Sequence, residues 1–123
     1  MFTFNSPIIK ENIWKICFKT KNELIKLYYE DEEIEREEDI RGLIEYATST
    51  IYIDKNLDDV LLKRTLRKKM MNLYLWETGQ QNRLYTEEEF CDITSVAAPL
   101  ICKSADELVL GLKKYIKSKK GDS

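Results

Sequence analysis

Apolar residues recur at three- and four-residue steps in the middle of the chain. Four of them share one face of a helix with about 3.6 residues per turn: Leu62, Leu66, Leu73 and Trp76. The spacing predicts one long amphipathic helix, with Lys63 to Gly79 as its middle and end and the apolar face in the core. Asn56 is placed to cap its start, and Gly79 to end it. Asp58 and Asp59 would stand in its first turn, where the helix dipole favours acids.

Strand patterns lie in the N-terminal half. Ile13 to Thr20 alternates apolar and polar positions, which predicts a strand. Gly42 to Asp54 predicts a β-hairpin with arms 43–46 and 50–53. Its turn lacks the Asn-Gly signature, so the sequence leaves the register open.

Two other N-terminal segments have weaker patterns. Residues 22–29 fit either a short helix capped by Asn22 or a second strand, and the helix is favoured. Residues 1–12, which include Pro7, predict a short irregular arm.

Capping-box pairs predict two further helices. Thr86 and Glu89 open the first, and Pro99 stands near its end. Its shared face would hold Phe90, Ile93, Ala97 and Leu100. Ser104 and Glu107 open the second, whose inward residues would be Leu108, Leu112, Tyr115 and Ile116. Residues 117–123 predict a loose tail.

These elements predict an α+β fold in a single domain, residues 1–123. A small N-terminal antiparallel sheet would be packed by about three C-terminal helices. A chain of 123 residues is long enough to bury one core but not two.

Composition narrows the class of protein. With 43% hydrophobic and 34% charged residues, the chain is expected to be globular and soluble. No apolar run approaches the roughly 20 residues of a spanning helix, and the start lacks a signal-peptide pattern. Three cysteines without paired spacing, Cys17, Cys91 and Cys102, suggest a reducing cytoplasm. The net charge of -2 argues against wholesale nucleic-acid binding.

An acidic run separates the two halves of the chain. Glu30 to Asp39 holds eight carboxylates, one arginine and one aliphatic residue, so it predicts a solvated loop over residues 30–41. The alternative is an acidic arm that competes for a basic surface on a partner. The carboxylates assigned to such a contact are Glu32, Glu33, Glu35, Glu37 and Glu38.

Three blocks of sequence resemble the phage branch of the ImmA/IrrE zinc peptidases. They are IYIDKNL at residues 51–57, LWETG at residues 75–79 and YTEEEFCD at residues 85–92. The resemblance covers residues 42 to 102 and implies a zincin-like scaffold. It implies that Lys68 and Asn72 occupy the two histidine positions of the HExxH motif, Lys69 the glutamate position, and Glu88 the third ligand position.

The substitutions in this motif remove the zinc chemistry. HExxH places two neutral imidazoles on one helix face with a glutamate as general base. A lysine ammonium has no free lone pair, and the chain has no histidine. We therefore predict no metal, no cofactor and no catalysis. We also predict an ammonium in place of the cation, with Lys68 or Lys69 in salt-bridge reach of Glu88 or Glu89.

Three groups of residues have a structural and a functional interpretation. The cluster Lys63, Arg64, Arg67, Lys68 and Lys69 is either a solvated helix face or a phosphate-binding surface. The aromatic residues Tyr74, Trp76 and Phe90 are expected in the core rather than in a ligand site. Cys91 and Cys102 are expected to be small buried residues.

The sequence thus predicts a non-catalytic scaffold that acts through its surface. The resemblance implies a phage or mobile-element protein that binds a host protein, for example a CRISPR effector in an anti-CRISPR role. The acidic arm is the first choice of contact, and the basic cluster with Lys63, Arg64 and Arg67 is the second. The alternatives are a nucleic-acid-binding or regulatory protein that uses the basic cluster, and a metal-dependent peptidase acting on a repressor. The sequence leaves the oligomeric state open.

Overall fold

The computed structural model describes residues 1–28, 40–81 and 83–121. Within these ranges the chain is α+β, as predicted, with one four-stranded mixed sheet and three helices. The strands are β1 (Phe2–Asn5), β2 (Ile13–Lys19), β3 (Gly42–Glu45) and β4 (Thr50–Asp54). The helices are α1 (Lys21–Tyr28), α2 (Asp59–Glu77) and α3 (Glu87–Gly121).

The sheet has the order β1-β2-β4-β3, and β3 lies at one edge. The prediction of a purely antiparallel sheet was wrong, because β2 and β4 run parallel through the register Ile16↔Ile51. The parallel pair arises because the chain passes through α1 and β3 between these strands.

The N-terminal segment is a strand rather than an irregular arm. β1 pairs with β2 in the register Phe2↔Ile16 and Phe4↔Trp14. Phe2 and Phe4 pack against the core while the polar residues between and after them are exposed, which is the period-two pattern of an edge strand. Pro7 lies after this strand and does not interrupt it.

The predicted hairpin and the predicted short helix are both present. β3 and β4 pair antiparallel in the register Leu43↔Tyr52. The turn at residues 46–49 is closed by the Ser49 N–H, which donates to the Tyr46 carbonyl at 3.2 Å. Residues 21–28 form α1, so the helical alternative was right.

Two helix starts differ from prediction by two residues. Thr20, not Asn22, opens α1, because its hydroxyl accepts from the Glu23 N–H while the Glu23 carboxylate accepts from the Thr20 N–H. Asp58, not Asn56, caps α2 and accepts from the Leu61 N–H at 2.8 Å. The end of α2 is as predicted, since Gly79 has φ of 71°.

The C-terminal segment is one helix of 35 residues, not two. Thr86 and Glu89 form the predicted capping box at its start. The helix continues through Pro99, whose side chain is exposed, so water can satisfy the carbonyl left without an N–H donor. It runs on to Gly121, so most of the predicted loose tail is helical, while residues 122–123 lie outside the described ranges.

The core lies between α2, α3 and one face of the sheet. Its sheet members include Trp14, Ile16, Ile51 and Ile53, and the helices add Leu62, Leu66, Met70, Leu73, Ala97, Ile101, Leu108 and Leu112. The predicted core face of α2 is confirmed except at Trp76, which is 39% exposed and stacks on Tyr46 with ring centroids 5.4 Å apart.

The first turns of α3 extend beyond α2. Lys63 pairs with Asp106, and Asp59 with Lys113, so the two helices are antiparallel. α3 has 19 residues before Asp106, whereas α2 has 14 after Lys63. Phe90 lies on the core face of α3, seven residues before Ala97, yet is 59% exposed. The prediction that Phe90 is in the core was therefore wrong.

The cysteine prediction also fails. Cys91 and Cys102 are exposed on α3, Cys17 is partly exposed, and all three are free thiols. The core face of α3 is formed instead by residues such as Ala97, Ile101 and Ala105.

None of the helices in the described ranges has the length and apolarity needed to span a bilayer.

Candidate functional site

The basic cluster of α2 divides into two rows. Residues three to four apart share a side of a helix, so Lys63 and Arg67 form one row, and Arg64 and Lys68 form another. The first row faces α3: Lys63 Nζ lies 2.8 Å, and Arg67 Nη2 3.9 Å, from Asp106 Oδ1. This row is paired within the chain, which gives it a structural role.

The second row lines a cleft between α2 and the edge strand β3. The cleft has a volume of about 450 Å³. Helix α2 supplies Arg64, Thr65, Lys68 and Lys69. The other described residues that line the cleft are Tyr28, Ile40, Arg41, Gly42 and Leu43. A cavity of this size can hold one or two side chains or a small molecule.

A close approach of β3 to α2 forms one wall of the cleft. A Cβ added to Gly42 would lie 2.9 Å from Thr65 Cγ2 and 3.1 Å from the Tyr52 carbonyl oxygen. Any residue larger than glycine at this position would force the strand or the helix to shift. Glycine at position 42 thus lets the strand and the basic row of α2 share one cleft.

The described residues that line the cleft carry a net positive charge. Four of these residues are basic, namely Arg41, Arg64, Lys68 and Lys69. None of the described residues that line the cleft is acidic. No ion pair joins Arg64, Lys68 or Lys69 to another residue of the described ranges. Three neighbouring cations of one helix therefore face the cleft without an acidic neighbour in those ranges.

The grouping of these cations affects the protonation of Lys69. It is partly buried, and burial together with the charge of Lys68 lowers the pKa of its ammonium. An anion in the cleft would offset both effects, because it would favour the charged amine. The site is thus suited to bind a carboxylate or phosphate group.

Of the four motif positions implied by the resemblance, two lie together in the cleft. Lys68 and Lys69 line the cleft, whereas Asn72 is partly buried one turn further along α2 and does not line it. Glu88 is exposed in the first turn of α3. Among the described residues no three acidic, histidine or cysteine side chains are grouped to hold a metal ion.

The predicted salt bridge across the motif positions was wrong. Neither Lys68 nor Lys69 forms an ion pair with Glu88 or Glu89. Glu89 instead pairs with Arg83 and caps the start of α3 at Thr86. Its carboxylate is thereby held at the start of α3.

The acidic residues proposed as a contact, Glu32, Glu33, Glu35, Glu37 and Glu38, lie outside the described ranges. Sequence reasoning missed Tyr28 and Arg41 as lining residues, although Arg41 stands one residue before β3. Their position depends on how β3 meets α2, which no local pattern contains.

Sequence reasoning also missed a second polar site at the end of α2. The Glu77 carboxylate accepts from the Ser6 hydroxyl, from Asn12 Nδ2 at 2.7 Å and from Trp14 Nε1 at 3.5 Å. Ser6 is buried, and its Oγ also accepts from the N–H groups of Ile8 and Ile9. This cluster ties the N-terminal segment to the helix.

Comparison of the chain with family models, with curated proteins and with solved structures gave no significant match. The resemblance to the ImmA/IrrE peptidases accordingly stays a prediction.

Proposed function

We propose that the protein is a non-catalytic binding protein that holds an acidic segment of a host protein in the basic cleft. The observation that carries this proposal is the group of Arg64, Lys68 and Lys69, which lines a cleft without a carboxylate among its described lining residues. Partly burying a charge costs free energy unless it is paired. A partner carboxylate would supply the missing pair.

A protein partner suits the cleft better than a nucleic acid does. Lys63 and Arg67, which would extend the basic surface along α2, are paired with Asp106. The remaining cations converge on one cavity instead of tracking a strand of phosphates. The net charge of -2 would also oppose a polyanion that wraps the protein.

The wider role that we propose is inhibition of a bacterial defence complex in the cytoplasm of the host, as anti-CRISPR proteins do. The resemblance to a phage branch of peptidases and the loss of the HExxH residues support a binding role over catalysis. The acidic run at residues 30–39 is proposed as a second contact on the same partner.

A labelled hexaglutamate peptide tests the cleft directly. The variant with Arg64→Gln and Lys68→Gln should bind it at least tenfold more weakly, which corresponds to about 1.4 kcal/mol. The variant with Lys63→Gln and Arg67→Gln removes the same formal charge beside the cleft and should bind within about twofold of wild type. Fluorescence anisotropy at constant salt measures both.

Equal losses in the two variants would show that net charge alone attracts the peptide, and would overturn the proposal. Tighter binding of a single-stranded oligonucleotide of matched charge would favour the nucleic-acid alternative. In cells with an active CRISPR system, wild-type protein should restore plaque formation by a targeted phage. The Arg64→Gln, Lys68→Gln variant should not.

A further inference from the structure

We infer that Lys69 is a site of covalent acylation and that acyl phosphates are the reagents that modify it. This inference rests on the basic cleft proposed above as the binding site. It goes further by naming a reaction, a nucleophile and a class of small-molecule substrate.

The geometry supplies a binding site for the phosphate group. Arg64 and Lys68 belong to the same helix as Lys69 and line the cleft with it. Guanidinium and ammonium groups bind phosphate through charge-assisted hydrogen bonds. A cavity of about 450 Å³ is large enough for a small acyl phosphate beside the amine.

The surroundings also favour the reactive form of the amine. Only the neutral amine carries the lone pair that attacks a carbonyl carbon. Partial burial and the adjacent Lys68 lower the pKa of Lys69, which raises the neutral fraction near neutral pH. Among the described residues, the titratable or charged groups that line the cleft with Lys69 are Lys68 and Arg64 of α2, Arg41 before β3, and Tyr28 at the end of α1.

The reaction balances without another reagent. The Lys69 nitrogen forms a bond to the acyl carbon, and the carbon–oxygen bond to phosphate breaks. The oxygen leaves with the electron pair as inorganic phosphate, where the neighbouring cations stabilise its growing charge. The nitrogen gives its proton to water, and the product is a neutral amide.

Acylation would act as a switch on the cleft. An amide at position 69 removes one positive charge from the three that α2 contributes, so the affinity for an acidic segment should fall. Lys69→Gln reproduces the neutral amide and should weaken hexaglutamate binding severalfold. Lys69→Arg keeps the positive charge and should weaken it less than Lys69→Gln does.

Acetyl phosphate is the probe, and peptide mass spectrometry gives the initial acetylation rate at each lysine. Lys103 and Lys114, exposed on α3, serve as references. We expect Lys69 to react at least tenfold faster than either. Arg64→Gln should reduce the rate at Lys69 at least threefold, and Lys63→Gln should not. Inorganic phosphate should slow acetylation at Lys69 but not at Lys103.

A rate at Lys69 no higher than at Lys103 would overturn the inference, as would an unchanged rate in Arg64→Gln. The N-hydroxysuccinimide ester of acetic acid carries no phosphate. It therefore separates the effect of phosphate binding by the cations from the effect of the larger neutral fraction of the Lys69 amine. Its preference for Lys69 over Lys103 should be smaller than that of acetyl phosphate, and an equal preference would overturn the role of the cations. The mass readout needs no peptide ligand, so selective acetylation without hexaglutamate binding would overturn the proposed function alone.

Discussion

Helix α2 carries two partly buried polar sites of opposite kinds. At its end, the Glu77 carboxylate accepts hydrogen bonds from three side chains of residues 6–14. In its middle, Lys69 lines a cleft beside other cations, and its pKa is lowered. The Glu77 site is completed by its own chain, whereas the described residues around Lys69 supply no opposite charge. This difference indicates that the Glu77 carboxylate stabilises the fold, whereas the Lys69 ammonium is suited to bind a ligand.

The largest expected effect on stability is at Glu77. Glu77→Ala should lower the free energy of unfolding by about 2–3 kcal/mol, because it leaves the buried Ser6 hydroxyl and the Asn12 amide without their acceptor. Urea unfolding followed by circular dichroism measures the change. Lys68→Ala is the control and should stay within about 0.5 kcal/mol of wild type. Similar losses in both variants would erase the distinction between the two sites.

A smaller effect is expected at Gly42, where the sheet meets the cleft. Gly42→Ala places a methyl group 2.9 Å from Thr65 Cγ2 and should lower the free energy of unfolding by about 1–2 kcal/mol, because strand and helix must move apart. Gly111→Ala is the matched control. Its Cβ meets the Phe2 ring at 3.0 Å, where a side chain can rotate, and alanine favours the helix by about 0.5–1 kcal/mol.

Thermal unfolding compares the two glycine variants. If Gly42→Ala is as stable as wild type, β3 and α2 are not held together as described. Hexaglutamate binding by Gly42→Ala should also weaken, because the altered distance changes the cleft while its four cations remain.

The smallest expected effect is the pH dependence of stability. The pKa of Lys69 is lower in the folded protein than in the unfolded chain, so the unfolded state binds more protons between the two values. Stability should therefore rise with pH through that window. Relative to Lys69→Met, wild type should gain stability as the pH rises from the lowered pKa of folded Lys69 toward the reference pKa of lysine, about 10.4.

Urea midpoints of the two proteins at several pH values measure this gain. Tyr28 and Arg41 are common to both proteins, so the difference isolates Lys69. A difference that is constant with pH would mean that the ammonium at Lys69 is as well stabilised in the fold as in water.

Local patterns predicted much of the fold. The 3.6-residue period located α2 and its buried face, and the Thr86–Glu89 pair located the start of α3. The errors arose where distant contacts decide the outcome. Phe90 has the right spacing for the core but lies beyond the end of its partner helix. β1 depends on pairing with β2, which lets a four-residue strand form before Pro7.

The candidate site was predictable only as a list of basic residues. The helical period places Lys63 with Arg67 and Arg64 with Lys68, but it cannot say which row meets a carboxylate. That answer comes from Asp106, on another helix. Arg41 lines the same cleft as the second row only because Gly42 lets β3 lie close to α2.

The Glu77 cluster also joins parts of the chain that are far apart in sequence. Ser6 and Glu77 are 71 residues apart, and the Met1 amine donates to the Tyr115 hydroxyl across 114 residues. The strand β1 thus has its final contacts only after Tyr115 has been made. Contacts of such long sequence separation slow folding. We expect β1 to be synthesised well before the residues that it contacts and to be among the last segments fixed in place.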